Sequence, residues 1–249
     1  MPSARLLRLF LPAAVACAAR LSAQTPEETP APPPLWSGKG ELSFVATSGN
    51  TDTQTLGAGA EVEYRASPWS VQFKAAFVRS EADDVENARA LTASLRGART
   101  LSPRLEVFAR GDYLENRFAG IEDRYSGEGG AAYAIFPYPP HELKVEGGLG
   151  YTRELRTAGE DLAFPTARVG FLYEWQISRT ATYAEEFSFL SNLEAGSDWR
   201  IVNTGSLSAE IVRAIALKLS FAILYANEPV PGFRKRDTLT SAAIVAKFP

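Results

Sequence analysis

The sequence predicts an all-β fold, specifically a twelve-stranded antiparallel transmembrane β-barrel. From residue 36 onward, apolar or small side chains recur at every second position in twelve runs, the period of strands with one apolar face. Many of the intervening positions carry charged residues. Tight turns alternate with longer polar loops, which predicts two rims of different character. An even number of strands closes such a sheet, so every backbone group is paired inside the bilayer.

The N-terminus is predicted to be a signal peptide covering residues 1–23. Arg5 and Arg8 precede an apolar segment that is too short to cross a bilayer, and small residues end at Ala23, where we expect cleavage. Residues 24–35 are rich in proline and lack apolar anchors, which predicts a disordered lead-in. The barrel is therefore expected to occupy residues 36–249.

Cys17 leaves one question open within this leader. The residues before it resemble a bacterial lipidation site, but Ala14 stands where such sites usually have leucine. Cys17 is therefore either lipidated or discarded with the signal peptide, and the sequence favours the second outcome.

The twelve runs share the same alternation, and each is long enough to cross a bilayer when tilted. The run at 125–135 is weaker than the others because it is rich in glycine and alanine. The predicted strands are 36–47, 55–65, 71–77, 91–96, 105–113, 125–135, 142–151, 167–176, 183–190, 199–211, 217–225 and 238–248.

Charged side chains at the polar positions are predicted to line the lumen, because the apolar face of a membrane barrel meets lipid. These candidate lumen-lining residues are Lys39, Glu41, Glu61, Glu63, Arg65, Lys74, Arg96, Glu106, Arg110, Asp112, Lys144, Glu146, Arg168, Glu174 and Glu210. Glu185 is an exception, since it falls on the apolar parity beside Tyr183 and Phe187. It is expected either to lie near the membrane interface or to follow a bulge that changes the parity.

Two sets of connections follow from this strand pattern. The short turns are expected on the periplasmic side and the longer loops outside, with residues 48–52 as the shortest outer loop. Apart from the proline-rich lead-in, no long segment is expected to be available as a plug for the lumen.

The composition argues against several functional classes. A net charge of -3 gives no basic surface for nucleic acid. The only histidine, His141, is predicted to lie at a short turn, so no imidazole-based catalytic site is expected and the protein is predicted not to be an enzyme. Acidic pairs such as Asp83-Asp84 lack the spacing of a Ca²⁺ loop, and Gly57-Ala58-Gly59 lies inside a strand with no helix after it. We therefore expect no catalytic residue, metal site or cofactor.

Short motifs at both ends of the predicted barrel carry a family resemblance. They are Trp36-Ser37-Gly38 in the first strand, Ser48-Gly49-Asn50-Thr51 in the first loop, and Asn227-Glu228-Pro229-Val230-Pro231-Gly232 with Lys235 and Asp237-Thr238 before the last strand. In this order they resemble the salt-induced outer-membrane proteins of the YdiY type, a domain of unknown function, over residues 36–248. The resemblance implies a Gram-negative outer-membrane β-barrel and implies neither a substrate nor catalytic residues.

The expected role follows from the fold and the resemblance together. The sequence predicts an outer-membrane barrel that serves envelope or osmotic-stress adaptation or forms a narrow solute channel. The alternatives are a non-conducting structural or partner-binding barrel and, third, a soluble periplasmic β-protein. The expected partners are outer-membrane lipid, lipopolysaccharide and the barrel assembly machinery. Phe248, followed only by Pro249, is expected to supply the terminal aromatic residue that this machinery recognises.

Overall fold

The structure, a computed structural model, describes residues 34–47, 53–82 and 85–248. The predicted signal peptide with Cys17, almost all of the lead-in, the first loop at 48–52 and the Asp83-Asp84 pair lie outside the described residues. Among the described residues, no helix is long and apolar enough to cross a membrane.

Twelve strands form the described chain, each hydrogen-bonded antiparallel to the next, and the last strand pairs with the first to close the barrel. They are β1 (Trp36–Thr47), β2 (Thr53–Ala66), β3 (Trp69–Ala82), β4 (Val85–Thr100), β5 (Leu105–Asn116), β6 (Ile121–Tyr138), β7 (His141–Arg156), β8 (Leu162–Gln176), β9 (Ala181–Asn192), β10 (Trp199–Val212), β11 (Ile215–Ala226) and β12 (Arg236–Phe248). The predicted fold class is confirmed.

Most strands are longer, and most outer loops shorter, than the alternation indicates. β6 begins at Ile121, and the predicted loop before it shrinks to residues 117–120, which form one 3₁₀ turn and a glycine. Only residues 83–84 separate β3 from β4. The connection at 83–84 is shorter than that at 48–52, so the prediction that 48–52 is the shortest outer loop is wrong. Charged residues near the strand ends stay paired in the sheet, where the alternation indicated loop.

The two faces of the sheet differ in the way a membrane barrel requires. Leu42 and Leu149 on the outward face are each 67% exposed, while Glu154 and Arg168 on the inward face are 0% and 8% exposed. A soluble barrel has the opposite arrangement, with apolar side chains inside. The distribution of side chains therefore contradicts the soluble alternative.

Aromatic side chains form two bands, one near each rim. Trp36 packs on Tyr64 with ring centroids 4.7 Å apart at the short-turn end. Trp199 packs on Tyr225 at 5.1 Å near the long loops. These positions match the interfacial girdles of transmembrane barrels and mark the two membrane boundaries.

Glu185 keeps the outward parity, since β9 shows no register shift against either neighbour. Its carboxylate accepts a hydrogen bond from the Tyr183 hydroxyl at 3.2 Å and lies opposite Gly205. The bulge interpretation is therefore wrong. The tyrosine, at the short-turn end of the strand, supplies a polar partner for an outward-facing carboxylate.

The seam between β1 and β12 is shorter than the other strand pairings. Its ladder runs from Gly38 opposite Phe248 to Leu42 opposite Ile244, whereas β1 pairs with β2 along its full length. Within the described residues, positions 43–47 of β1 and 236–243 of β12 have no ladder partner across this seam.

Candidate functional site in the barrel interior

A compact network of ion pairs fills the interior along β5 to β8. Arg168 donates from Nε to both carboxylate oxygens of Glu128 at 3.0 Å and also bonds to Glu146. Arg110 lies 2.8 Å from Glu128 and 3.5 Å from Glu146. None of the four side chains is more than 11% exposed. Because two guanidiniums face two carboxylates, each buried charge has a counter-charge.

The network extends toward the short-turn side through Arg96. This guanidinium lies 2.5 Å from Glu106, whose carboxylate also accepts from Lys144 at 3.3 Å. Arg96 further lies over the Phe108 ring, 4.5 Å from its centroid. Phe108 packs in turn with two buried alanines, Ala98 and Ala132. This half of the lumen is therefore filled by side chains.

The opposite half of the interior, along β9 to β12 and β1 to β3, is open to water. Its ion pairs join Lys39 to Glu61 at 2.9 Å and Lys247 to Glu210 at 2.7 Å. The two lysine side chains are 41% and 44% exposed although they face inward. These exposed charges indicate a water-filled space at the short-turn end of this wall, where both lysines lie, although Ala216 and Val245 on the same wall are buried.

One ion pair crosses that space. Lys74 of β3 and Glu186 of β9 approach within 3.7 Å, and the two strands are separated by six steps in either direction around the barrel. The side chains are 37% and 54% exposed, so water reaches both of them. The pair therefore constricts the lumen without being packed into either wall.

A second charged cluster lies at the mouth on the long-loop side, centred on Glu154. Its carboxylate is 1% exposed and contacts Arg124 at 2.5 Å, Arg156 at 2.6 Å and Arg200 at 3.0 Å. Arg200 also lies 3.4 Å from Asp198. The strands β6, β7 and β10 bring these side chains together from distant parts of the sequence.

The last outer loop, residues 227–235, spans this mouth. It leaves β11, yet its Val230 is 3% exposed and packs against Gly120, which lies beyond β5 on the far side of the barrel. A Cβ on Gly120, whose φ is 78°, would lie 2.6 Å from Val230 and 2.7 Å from the Phe233 ring. Residues 227–235 therefore cover part of the mouth, while the expectation about a long segment that could plug the lumen stays a prediction.

All fifteen predicted lumen residues lie in the barrel strands, and that they line a lumen stays a prediction. Most take part in the ion pairs described above, including Glu41, which accepts from Lys218 at 2.8 Å. Glu63 and Arg65 pair at 2.6 Å near the short-turn rim, Asp112 lies 3.2 Å from Arg110, and Glu174 faces Glu142 across the β7–β8 ladder. Sequence reasoning missed the other inward charges of the network and mouth: Arg124, Glu128, Glu154, Arg156, Glu186, Arg200, Lys218 and Lys247.

His141 begins β7 at a short turn. Its Nδ1 lies 2.8 Å from the Tyr173 hydroxyl, and its ring stacks on Trp175 with centroids 5.5 Å apart. The imidazole thus belongs to the short-turn aromatic band. The part of the chain that the structure describes contains no group of three or more residues suited to hold a metal ion.

Known proteins with related folds are outer-membrane porins and channels. The NanC porin superposes with a TM-score of 0.51 at 11% identity, covering 86% of this chain and all of the porin chain. An outer-membrane channel from Pseudomonas putida F1 gives 0.49 at 11% identity, covering 86% and 95% of the two chains. No curated protein matches the sequence.

The family is established by sequence, and it agrees with the resemblance found in the terminal motifs. The model of one family matches residues 40–248, which is almost the whole barrel. The chain belongs to this family, DUF481, a family of proteins of unknown function.

Proposed function

We propose that this protein is a narrow channel for small solutes in the outer membrane of a Gram-negative bacterium. The observation that carries the proposal is the water-exposed half of the lumen, constricted by Lys74 and Glu186. Twelve strands enclose more room than the eight-stranded barrels that side chains fill, and less than sixteen-stranded porins. The packed ion pairs of β5 to β8 narrow that room further.

The charges at the constriction set the expected selectivity. The pair is neutral as a whole and offers one cation and one anion to the passing solute, so the intact channel should discriminate weakly between ions. Removal of either partner leaves the other charge without its partner across the lumen, which should favour ions of the opposite sign.

Single-channel recording in planar bilayers tests the proposal. Lys74→Ala should shift the reversal potential toward cation selectivity, and Glu186→Ala should shift it toward anion selectivity. The double variant should conduct more than the wild type. Arg213→Ala is the matched control, because that exposed arginine lies at a short turn outside the lumen. If neither the wild type nor the double variant conducted, and heat-modifiable gel migration showed that both were folded, a channel would be ruled out.

A non-conducting structural or partner-binding barrel is the second candidate. Residues 227–235 favour it, because they lie across the mouth and are anchored at Gly120. In this case neither the wild type nor the Lys74 and Glu186 variants would show conductance. The outer loops would then act by binding a partner.

The cellular setting is part of the same proposal. We infer that the chain is cleaved near Ala23 and exported to the outer membrane. There the outward face would contact lipid and the long-loop rim would contact lipopolysaccharide. We further infer a role in envelope or osmotic-stress adaptation. Phe248 is proposed as the residue that the assembly machinery recognises, since the residue is 52% exposed. Phe248→Ala should lower the amount of heat-modifiable protein in the outer membrane, and unchanged assembly would refute this role.

A further inference from the structure

The mouth of the barrel holds a partly open cavity of about 90 Å³ beneath residues 227–235. Arg124, Arg200 and Glu154 form its base, while Arg234 and Lys235 of the loop line its upper side. The cavity is separate from the Lys74–Glu186 constriction, which lies between β3 and β9.

Positive charge exceeds negative charge in the buried cluster at the base of this cavity. Three guanidiniums, Arg124, Arg156 and Arg200, contact only two carboxylates, Glu154 and Asp198. The four charged groups that line the cavity above them, Glu228, Arg234, Lys235 and Asp237, are balanced in sign. One buried positive charge is therefore left without a counter-charge among the described residues, which is costly unless an anion neutralises it.

Arg200 shows where that anion would bind. The residue is 8% exposed, and within the described residues its Nε and Nη1 atoms make no hydrogen bond. Nη1 lies 3.0 Å from Glu154, but without hydrogen-bond geometry. The guanidinium is held in place from one side by the Phe164 ring, 5.7 Å from its Cζ. Buried guanidinium donors are rarely left unpaired, and their fork geometry matches an oxyanion.

We propose that this cavity binds the phosphate group of a small solute or of a lipid headgroup. Arg200 and Arg124 would donate to the phosphate oxygens from below, and Arg234 and Lys235 would close over it. Residues 227–235 lie over the cavity, so the loop borders the path by which the group enters. Binding requires no conduction, so failure of this proposal would leave the channel proposal standing.

Isothermal titration of the full-length mature barrel in neutral detergent tests this site with two probes. Inorganic phosphate represents a free solute, and mixed micelles with a phosphatidic acid represent a lipid-borne phosphate group. We expect at least one probe to bind saturably, with one molecule bound per barrel. Sodium chloride in the buffer serves as the background electrolyte. Binding of phosphate alone assigns a free solute, and binding of the lipid alone assigns a headgroup.

Two variants locate the site. Arg200→Gln should weaken binding roughly ten- to a hundred-fold, the loss expected for one charge-assisted hydrogen bond. Arg234→Gln, on the exposed loop, should weaken it less and keeps the proposal testable if the buried variant does not fold. Arg213→Gln, an exposed arginine at a short turn on the opposite rim, is the matched control and should bind as the wild type does. The proposal would be overturned if neither probe bound. It would also be overturned if a probe bound and neither Arg200→Gln nor Arg234→Gln weakened that binding.

Discussion

Glu154→Gln tests whether the buried carboxylate holds the barrel mouth together. One Glu154 oxygen accepts from Arg156 at 2.6 Å, and the other accepts from Arg124 at 2.6 Å and lies 3.0 Å from Arg200. The glutamine amide has a single oxygen, so its NH₂ group must face at least one guanidinium. At least one charge-assisted hydrogen bond is lost, which alone costs about 1.5–3 kcal/mol.

The charge lost from the cluster adds to this cost. Three buried guanidiniums would then face only Asp198, and breaking a buried ion pair from one side costs about 3–5 kcal/mol. We therefore expect the free energy of unfolding to fall by about 3 kcal/mol or more. Urea titration in lipid vesicles, followed by heat-modifiable gel migration, measures it.

Glu160→Gln is the matched control, because that glutamate is exposed in the β7–β8 loop. Its effect should stay within about 0.5 kcal/mol. If Glu154→Gln were as stable as this control, the reasoning would be refuted, and the mouth cluster would contribute nothing measurable to stability.

Two further predictions concern the loop and the packed half of the lumen. Gly120→Ala should displace residues 227–235 and speed trypsin cleavage there, because the added Cβ meets Val230 and Phe233. Gly196→Ala, where a Cβ meets nothing within 4 Å, should leave cleavage unchanged. Phe108→Ala should lower the free energy of unfolding by about 3–5 kcal/mol in a urea titration, since the ring is 6% exposed. Phe221→Ala, on the outward face, should cost less.

Each of these two predictions has a result that would contradict it. Equal trypsin rates for Gly120→Ala and the wild type would show that the loop is not held at that glycine. A Phe108→Ala loss no larger than that of Phe221→Ala would show that the inner apolar cluster is not tightly packed.

The alternation of side chains was sufficient to predict the barrel, because a strand with one face in lipid and one inside must repeat with period two. It was insufficient for β6, where Gly127, Gly129 and Gly130 dilute the apolar signal. Glu128, between two of these glycines, was missed for this reason, although it lies at the centre of the ion-pair network.

The position of residues 227–235 across the mouth depends on contacts between distant parts of the chain, which no local pattern reveals. β11 and β5 lie on opposite sides of the ring, and Val230 reaches Gly120 because residues 227–235 cross the mouth. Arg124, Glu154 and Arg200 likewise come from three strands. Loop was predicted at Arg124 and Glu154, and Arg200 lies at the second position of a predicted strand. A charge at a strand end is compatible with either a solvated loop or an inward ion pair, and sequence alone does not separate the two.

The short seam between β1 and β12 has a consequence for how the barrel forms and comes apart. Every other strand pair joins neighbours along the chain, whereas this one closes the ring between its two ends. With a ladder confined to residues 38–42 of β1, few backbone hydrogen bonds must break to separate these strands. Local opening begins where the fewest such bonds resist it. We therefore expect the β1–β12 pairing to form last during membrane insertion and to separate first under denaturant. Hydrogen exchange at Ile244 and Phe248 would report on this separation.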